Sequence, residues 1–224
     1  MMMSIPIVHS AETLRTLIPM SDAQQQQLAQ YVMMLREWNT HLNLISRKDE
    51  EQIWRNHILH CLGLLAVAEL PFRGAMLDLG TGGGMPGVPL AIMRPEVHFT
   101  LVDATAKKIR AVEDMVARLG LSNVTTIWGR VEEDDLLEKC GRKTDVVFAR
   151  AVTQLSALVR WSAPLLRVGG PRTLYVWKGG DLTAELAEAR RHGAVAAIRV
   201  LPLALAGEEY FLREEKKIIE VRFS

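Results

Sequence analysis

The chain has 224 residues, with 27 Lys or Arg and 26 Asp or Glu, so its formal net charge at pH 7 is +1. This balance gives no evidence for a polyanionic partner, although a basic face can exist locally. Hydrophobic residues make up 49% of the chain, enough for one α/β domain with an appendage or for two small domains. The two cysteines, Cys61 and Cys140, form no pattern, which argues against a disulfide framework and favours a reducing compartment.

The first ten residues lack the basic and apolar regions of a secretory signal. The longest apolar run, residues 62–68, is too short to cross a bilayer. We therefore expect a cytoplasmic protein with no membrane partner.

Residues 10–70 are predicted to be helical. Ser21 and Gln24 have the spacing of a capping box. Apolar residues then recur at helical intervals at Leu28, Tyr31, Val32, Leu35 and Trp38. A second helix is predicted over 50–65, after a turn-prone segment over 38–47. We assign residues 1–72 to an N-terminal helical cap and 73–224 to a core, and we expect the two to form one compact unit.

From Gly74 onward, predicted strands alternate with predicted helices, which is typical of a doubly wound, mainly parallel sheet. Strands are predicted over 75–79, 98–103, 124–128, 145–149, 173–177 and 194–203. Helices are predicted over 88–93, 105–119, 132–139, 155–166 and 182–192. A closing pair of segments, 209–212 and 216–223, would place an antiparallel strand at the end.

A glycine-rich turn over residues 78–87 joins the first strand to the next helix. Glycines here would let bare backbone N–H groups approach an adenosine-type cofactor. Asp78 would repel a pyrophosphate but attract the ammonium and sulfonium of S-adenosylmethionine, which favours a methyltransferase over a dehydrogenase. Residues 82–87 also match the dinucleotide fingerprint, and a tight turn without a ligand is a further alternative.

Asp103 ends the second predicted strand, and ligands of open α/β sheets bind at the carboxyl ends of strands. Its carboxylate could accept hydrogen bonds from both ribose hydroxyls of an adenosine. The alternative is that Asp103 caps the helix that begins near Thr105. After the third strand, Val131 and Glu132 could meet an adenine edge, or Glu132 could belong to an acidic first turn of a helix.

Arg150 ends the fourth strand, where the transferring methyl group would lie. The Asn-or-Asp-Pro-Pro motif of amino-group methylases is absent here, and neither cysteine is placed as a carbon-5 nucleophile. An atom that is already nucleophilic, such as guanine N7, remains as the target, and its methylation requires chiefly in-line positioning. Arg150 could hold a cofactor carboxylate or donate to guanine O6, or it could form a surface ion pair.

Lys178 ends the fifth strand and could meet an RNA phosphate or the base, or be a solvated lysine. His57, His60 and Cys61 lie on one side of a predicted helix, but no second cluster completes a zinc site, so we expect them to be packed core residues and predict no metal. A basic rim for a phosphate backbone could include Arg47, Lys48, Arg55, Lys107, Lys108 and Arg110.

Residues 77–91, Leu-Asp-Leu-Gly-Thr-Gly-Gly-Gly-Met-Pro-Gly-Val-Pro-Leu-Ala, resemble the RsmG family, also called GidB. This family comprises bacterial methyltransferases that modify a guanine at N7 in 16S rRNA. Further motifs match in order and approximate spacing: Trp38-Asn39 with Asn43-Leu44, His57-Ile58-Leu59, Arg94-Pro95-Glu96, Val102-Asp103 with Lys107-Lys108, Arg130-Val131-Glu132-Glu133, Ala149-Arg150-Ala151 and Trp177-Lys178-Gly179. The resemblance covers nearly the whole chain from about residue 20.

The resemblance implies a class I methyltransferase fold with a mainly parallel seven-stranded sheet. It implies that Gly80, Met85, Val131, Glu132 and Arg150 contact S-adenosylmethionine. With the strand-end reasoning, the expected cofactor-binding residues are Asp78, Gly80, Gly82, Gly84, Met85, Asp103, Val131, Glu132 and Arg150, and the positioning residues at the reacting atoms are Arg150 and Lys178. One departure is visible, since His60 and Cys61 stand where the family usually has Asp-Ser.

The sequence thus predicts an enzyme that methylates N7 of a guanine by direct displacement at the sulfonium methyl. Its partner would be 16S rRNA or an assembling small ribosomal subunit, and we expect a monomer. Alternatives are a small-molecule methyltransferase, a dinucleotide oxidoreductase and an inactive ribosome-associated RNA-binding protein.

Overall fold

The computed structural model describes residues 8–131, 134–140 and 143–224. It contains a seven-stranded sheet in the order β3-β2-β1-β4-β5-β7-β6. The strands are β1 Ala75–Leu79, β2 His98–Asp103, β3 Val124–Trp128, β4 Val146–Arg150, β5 Thr173–Lys178, β6 Val195–Pro202 and β7 Lys217–Phe223. Strands β1 to β5 pair in parallel, and β7 is antiparallel to both β5 and β6. The predicted fold class is confirmed.

The helices lie before the sheet and between its strands. They are α1 Ala11–Arg15, α2 Asp22–Asn39, α3 His60–Leu62, α4 Leu64–Val67, α5 Gly87–Met93, α6 Ala106–Leu119, α7 Asp134–Cys140, α8 Leu155–Ser162, α9 Thr183–Ala189 and α10 Tyr210–Arg213. A 3-10 turn over Arg47–Asp49 and a π-helical segment over Trp54–Leu59 precede α3. None of the helices described here is long and apolar enough to cross a membrane.

Two predicted elements differ from the structure. The helix predicted over 50–65 is divided into the π-helical segment, α3 and α4, with Gly63 between the last two. The segment predicted over 209–212 as half of a closing pair is the short helix α10, because Phe211 is buried there and stacks on His60. The antiparallel partners of β7 are therefore β5 and β6.

The cap residues pack directly on the core. The capping box of Ser21 and Gln24 forms as predicted at the start of α2. The amide of Gln24 donates to the carbonyls of Ile92 and Met93 at the end of α5, and the indole of Trp38 donates to Asp114 of α6 at 2.9 Å. One apolar cluster contains side chains from both parts of the chain. The cap therefore covers one face of the sheet, while α8 and α9 contribute to a second cluster.

Candidate active site

A cavity of about 370 Å³ lies at the carboxyl ends of β1, β2 and β4; we call it the loop cavity. The chain runs from β1 outward to β2 on one side, and β4 lies on the other side, so the cavity is at the point where the strand order reverses. Its lining residues are Leu44, Ile45, Ser46, His57, Gly80, Thr81, Gly82, Gly83, Met85, Asp103, Lys108, Arg150, Ala151 and Val152. The lining thus combines the glycine turn, two strand ends and a segment of the cap.

Asp78 lies beneath the glycine turn and is fully buried. Its Oδ2 accepts hydrogen bonds from the Thr81 hydroxyl at 2.7 Å and from the Gly87 N–H at 2.9 Å. Burial raises the pKa of Asp78 to about 7, although these hydrogen bonds oppose the shift. Asp78 joins the two ends of the turn and does not line the loop cavity, and a direct contact between its charge and a ligand stays a prediction.

Three glycines line the loop cavity, and two of them, Gly80 and Gly82, have a positive φ. Gly82 has φ +59°, and a Cβ added there would meet nothing within 4 Å. Gly80 has φ +72°, and a Cβ there would lie 2.7 Å from Val152. Gly84 is buried against Val88 and does not line the cavity, and its role in cofactor binding stays a prediction.

The Asp103 carboxylate organises the second strand end. Its Oδ2 accepts from the Gly82 N–H at 2.9 Å, and its Oδ1 accepts from the Thr105 N–H at 2.8 Å. Asp103 therefore caps the start of α6, as one of the two sequence-based alternatives predicted, and it also binds the glycine turn. Each carboxylate oxygen can accept a further hydrogen bond, and Asp103 also lines the loop cavity. It can cap the helix and still face a ligand.

Arg150 forms part of the loop-cavity wall at the end of β4. Its Nη2 donates to the Asn56 carbonyl at 3.1 Å and lies 2.9 Å from His57 Nδ1. Its Nη1 lies 3.6 Å from the Met85 sulfur. No carboxylate among the described residues forms an ion pair with Arg150, so the surface ion pair considered above is not seen. The guanidinium therefore presents a positive charge to the cavity.

His57 is neutral beside this guanidinium. Burial, with a smaller effect of Arg150, lowers the pKa of His57 to about 4. Because arginine can only donate, His57 Nδ1 must accept, and the ring proton is then on Nε2. His57 is buried, as predicted for a packed core residue, but its ring also lines the loop cavity.

A second cavity of about 390 Å³ lies on the other side of Arg150; we call it the α10 cavity. Its lining residues are Asp49, Asn56, His57, His60, Arg150, Ala151, Trp177, Lys178, Gly179, Tyr210, Phe211 and Lys216. Three of these residues, His57, Arg150 and Ala151, also line the loop cavity. The two cavities are therefore neighbours across a shared wall.

Lys178 reaches the α10 cavity but is not a freely solvated cation. Its Nζ donates to Glu185 at 2.5 Å and to the Thr153 carbonyl at 2.9 Å. Its side chain is 19% exposed, so the solvated lysine considered from the sequence is not what the structure shows. Two of its three donors are used within the fold, and one can meet a ligand.

Three further predictions concern residues around these cavities. Val131 is half-buried against the apolar cluster behind the sheet and does not line the loop cavity, while Glu132 lies outside the described residues. Of the predicted basic rim, Lys108 lines the loop cavity and Arg55 lies 3.9 Å over the Tyr210 ring. Within the part of the chain that the structure describes, no three His, Cys, Asp or Glu residues are grouped to hold a metal ion.

Sequence reasoning missed the contributions of the cap to the site. Asp49 lines the α10 cavity, and the Tyr31 hydroxyl donates to the Gly83 carbonyl at 2.8 Å. Residues 44–46 cover the loop cavity from the cap side. The polar and aromatic mixture in the 38–47 segment was the one available signal, and it did not indicate which side chains face the sheet.

Comparison with known families and proteins supplies an independent result. The family model GidB, described as rRNA small subunit methyltransferase G, matches residues 24–214. A protein from Chlorobium luteolum named ribosomal RNA small subunit methyltransferase G is 45% identical over 79% of this chain and 71% of its own length. One of the same name from Chlorobaculum tepidum is 39% identical over 92% of this chain and 93% of its own length.

Solved structures with the same fold include Aeropyrum pernix fibrillarin with bound S-adenosyl-L-methionine. It has a TM-score of 0.55 and 17% identity, and the match covers 73% of each chain. At this identity the likeness shows the shared fold alone. The match of the family model over most of the chain shows more: the chain belongs to the GidB family, rRNA small subunit methyltransferase G.

Proposed function

We propose that this protein transfers the methyl group of S-adenosylmethionine to N7 of a guanine in 16S ribosomal RNA. The observation that carries the proposal is the loop cavity at the switch point of the sheet, bordered by an Arg150 guanidinium with no ion-pair partner among the described residues. Membership of the GidB family supplies the substrate class, since the relatives are named for methylation of small-subunit rRNA.

The residues of the loop cavity fit S-adenosylmethionine. The open space beside Gly82, where a Cβ would meet nothing within 4 Å, admits a ligand against bare backbone. Asp103 keeps acceptor capacity for ribose hydroxyls, and Arg150 can pair with the ligand carboxylate. Met85 and Gly80 complete the wall. Neither Asp78 nor Gly84 is needed at the surface, and we assign both to the support of the turn.

Methyl transfer to guanine N7 requires the protein chiefly to position the two reactants. When bound, S-adenosylmethionine supplies a methyl group activated by a sulfonium. Guanine N7 can take that methyl with its own lone pair as the sulfur–carbon bond breaks, so no proton has to leave and the base becomes cationic. The reaction therefore needs no general base and no protein nucleophile. The side chains near Arg150 agree with this: His57 Nδ1 is hydrogen-bonded to Arg150, and burial raises the pKa of the Cys61 thiol to about 11. Arg150 and Lys178 would act by orienting ligands.

The finer parts of the proposal concern the form of the substrate. We infer that the enzyme acts as a monomer on 16S rRNA, either free or in an assembling small subunit, and hence in the cytoplasm. Light scattering of the purified protein and parallel assays on free RNA, assembling particles and complete subunits test these points.

The first experiment is calorimetric titration with S-adenosylmethionine and, separately, with NAD(H) and NADP(H). We expect binding of the first alone, and loss of that binding in an Asp103→Ala variant that still binds RNA. Methylated guanines are then mapped in 16S rRNA from cells with and without the protein. Binding of a nicotinamide cofactor, or an unchanged N7-methylation pattern in cells lacking the protein, would contradict the proposal. Binding of RNA without S-adenosylmethionine would favour an inactive RNA-binding protein.

A further inference from the structure

The α10 cavity is placed where a methyl acceptor must lie if the loop cavity holds the methyl donor. It shares His57, Arg150 and Ala151 with the loop cavity, so a ligand in one is separated from a ligand in the other by little more than these side chains. Its volume of about 390 Å³ lies within the range of small-molecule sites and suits one flat heterocycle.

Asp49 is the one carboxylate among the described residues that line the α10 cavity. Its Oδ1 accepts from the Asn56 amide at 2.8 Å, and its Oδ2 lies 3.7 Å from His57 Nε2. Because His57 is neutral, that contact is not an ion pair at neutral pH. With its side chain 36% exposed, Asp49 keeps an acceptor oxygen that is available to a ligand.

The wall of the α10 cavity also contains aromatic rings. His60 stacks on Phe211 with ring centroids 5.3 Å apart, and burial keeps the pKa of His60 well below its ordinary value. The Nε2 atom of His60 is buried without a hydrogen-bond partner among the described residues. Tyr210 and Trp177 supply flat surfaces in the same cavity.

We propose that the α10 cavity receives the target guanine and that Asp49 accepts the N–H groups of its N1 and N2 edge. This assignment rests on the proposed function. Guanine presents adjacent donors at N1 and N2, and a carboxylate offers acceptors alone, so the two match. Adenine would turn the N1 lone pair towards the carboxylate and is rejected. The negative charge also stabilises the cationic base that N7 methylation creates. Asp49 is therefore a specificity-determining residue.

The test uses target RNA that carries either guanosine or a single inosine at the mapped methylation position. Inosine keeps N7, O6 and N1–H but lacks the N2 amino group. Methyl transfer is measured for the wild type, for Asp49→Asn and for the control Glu51→Gln, which removes an exposed carboxylate two residues away. S-adenosylmethionine affinity and melting temperature are measured for each.

We expect the wild type and Glu51→Gln to methylate the guanosine RNA about tenfold or more faster than the inosine RNA, as a hydrogen bond to a charged group allows. Asp49→Asn should lose about 10- to 100-fold in kcat/KM on guanosine, much less on inosine, and keep its affinity for S-adenosylmethionine. A wild type that treats guanosine and inosine alike overturns the inference, and so does an Asp49→Asn variant that keeps the wild-type preference. Absence of cofactor binding or of any rRNA methylation by the wild type would instead overturn the proposed function.

Discussion

The Tyr31 hydroxyl donates a 2.8 Å hydrogen bond to the carbonyl of Gly83, and this contact joins α2 of the cap to the glycine turn. Burial raises the pKa of Tyr31 well above 10, so the hydroxyl remains a donor at neutral pH. A Cβ at Gly83 would lie 2.9 Å from Leu35 Cδ1 and 3.2 Å from Leu44 Cβ, so a side chain there would displace these residues of the cap. The shape of the turn is thus set from the cap side as well as from β1.

Tyr31→Phe removes this bond and leaves the Gly83 carbonyl without its side-chain donor. We expect the free energy of unfolding to fall by about 1–2 kcal/mol, as for a buried acceptor left unsatisfied. Affinity for S-adenosylmethionine should fall by about threefold to tenfold, because binding must then order the turn. Denaturant titration and calorimetry measure the two effects.

Tyr175→Phe is the matched control, since Tyr175 is a buried β5 residue that lines neither the loop cavity nor the α10 cavity. It should not change the affinity for S-adenosylmethionine. Equal loss of affinity in both variants would contradict the proposed link between α2 and the turn.

Alanine variants of Gly82 and Gly120 can distinguish the effect of backbone strain from the effect of filling the loop cavity. Both glycines have positive φ, +59° and +66°, and a Cβ at either position would meet nothing within 4 Å. Alanine at each position should therefore cost a similar amount of stability, about 1 kcal/mol. Gly82→Ala places its methyl group in the loop cavity and should weaken S-adenosylmethionine binding about tenfold or more, equivalent to at least ~1.4 kcal/mol.

Gly120 ends α6 and does not line the cavity, so Gly120→Ala should bind as the wild type does. Calorimetric titration of the two variants at matched stability gives the comparison. If Gly82→Ala keeps full affinity, the cofactor does not lie against this part of the turn.

The sheet and its switch point could be predicted from the sequence, because hydrophobic strand segments and glycine-rich turns are local signals. The strand-end rule also led to Asp103 and Arg150, and the glycine-rich turn led to Gly82; all three line the loop cavity. The strand pattern did not show that Asp78 lies buried beneath the turn, because it does not indicate whether the next turn folds over a side chain at the strand end. The half-buried side chain of Val131 packs on the second apolar cluster, and its contact with the cofactor stays a prediction.

The contributions of the cap could not be predicted locally. Asp49 lies in a short 3-10 turn, and nothing in the nearby sequence indicates that it faces β4 and β5 across the α10 cavity. The contact between Tyr31 and Gly83 spans 52 residues. Helical periodicity correctly placed Tyr31 on the buried face of α2, but it does not identify the carbonyl that its hydroxyl meets.

His57 should make the protein sensitive to acid. Folding lowers its pKa from 6.5 to about 4, so the unfolded chain takes up a proton first as the pH falls. The contribution of His57 to stability is thus complete above about pH 6.5 and is lost progressively towards pH 4, by up to about 3 kcal/mol. His57→Gln keeps an acceptor for Arg150 but cannot titrate, so its unfolding free energy should fall less over this range.

His98→Gln, at an exposed histidine that begins β2, is the control and should follow the wild type. Asp78 changes the stability in the opposite direction as the pH falls, because burial raises its pKa to about 7. Its effect is common to the wild type and both variants, so it cancels in the comparison. Denaturant titrations between pH 4 and 7.5 give the unfolding free energy of each protein as a function of pH. Parallel curves for the wild type and His57→Gln would show that His57 is not the group responsible.

The cap, residues 1–72, and the core, residues 73–224, are expected to unfold together. The apolar cluster that covers one face of the sheet includes Leu28 and Leu35 of α2 as well as Phe99 and Phe148 of the strands. Separation would expose all of these to water, and burial of each large side chain is worth about 1.5–3 kcal/mol. Polar contacts such as Trp38 to Asp114 would also be lost. Hydrogen exchange under mild denaturant should therefore show amides of α2 and β1 opening with one common free energy, whereas earlier exchange of α2 alone would show that the cap is a separate unit.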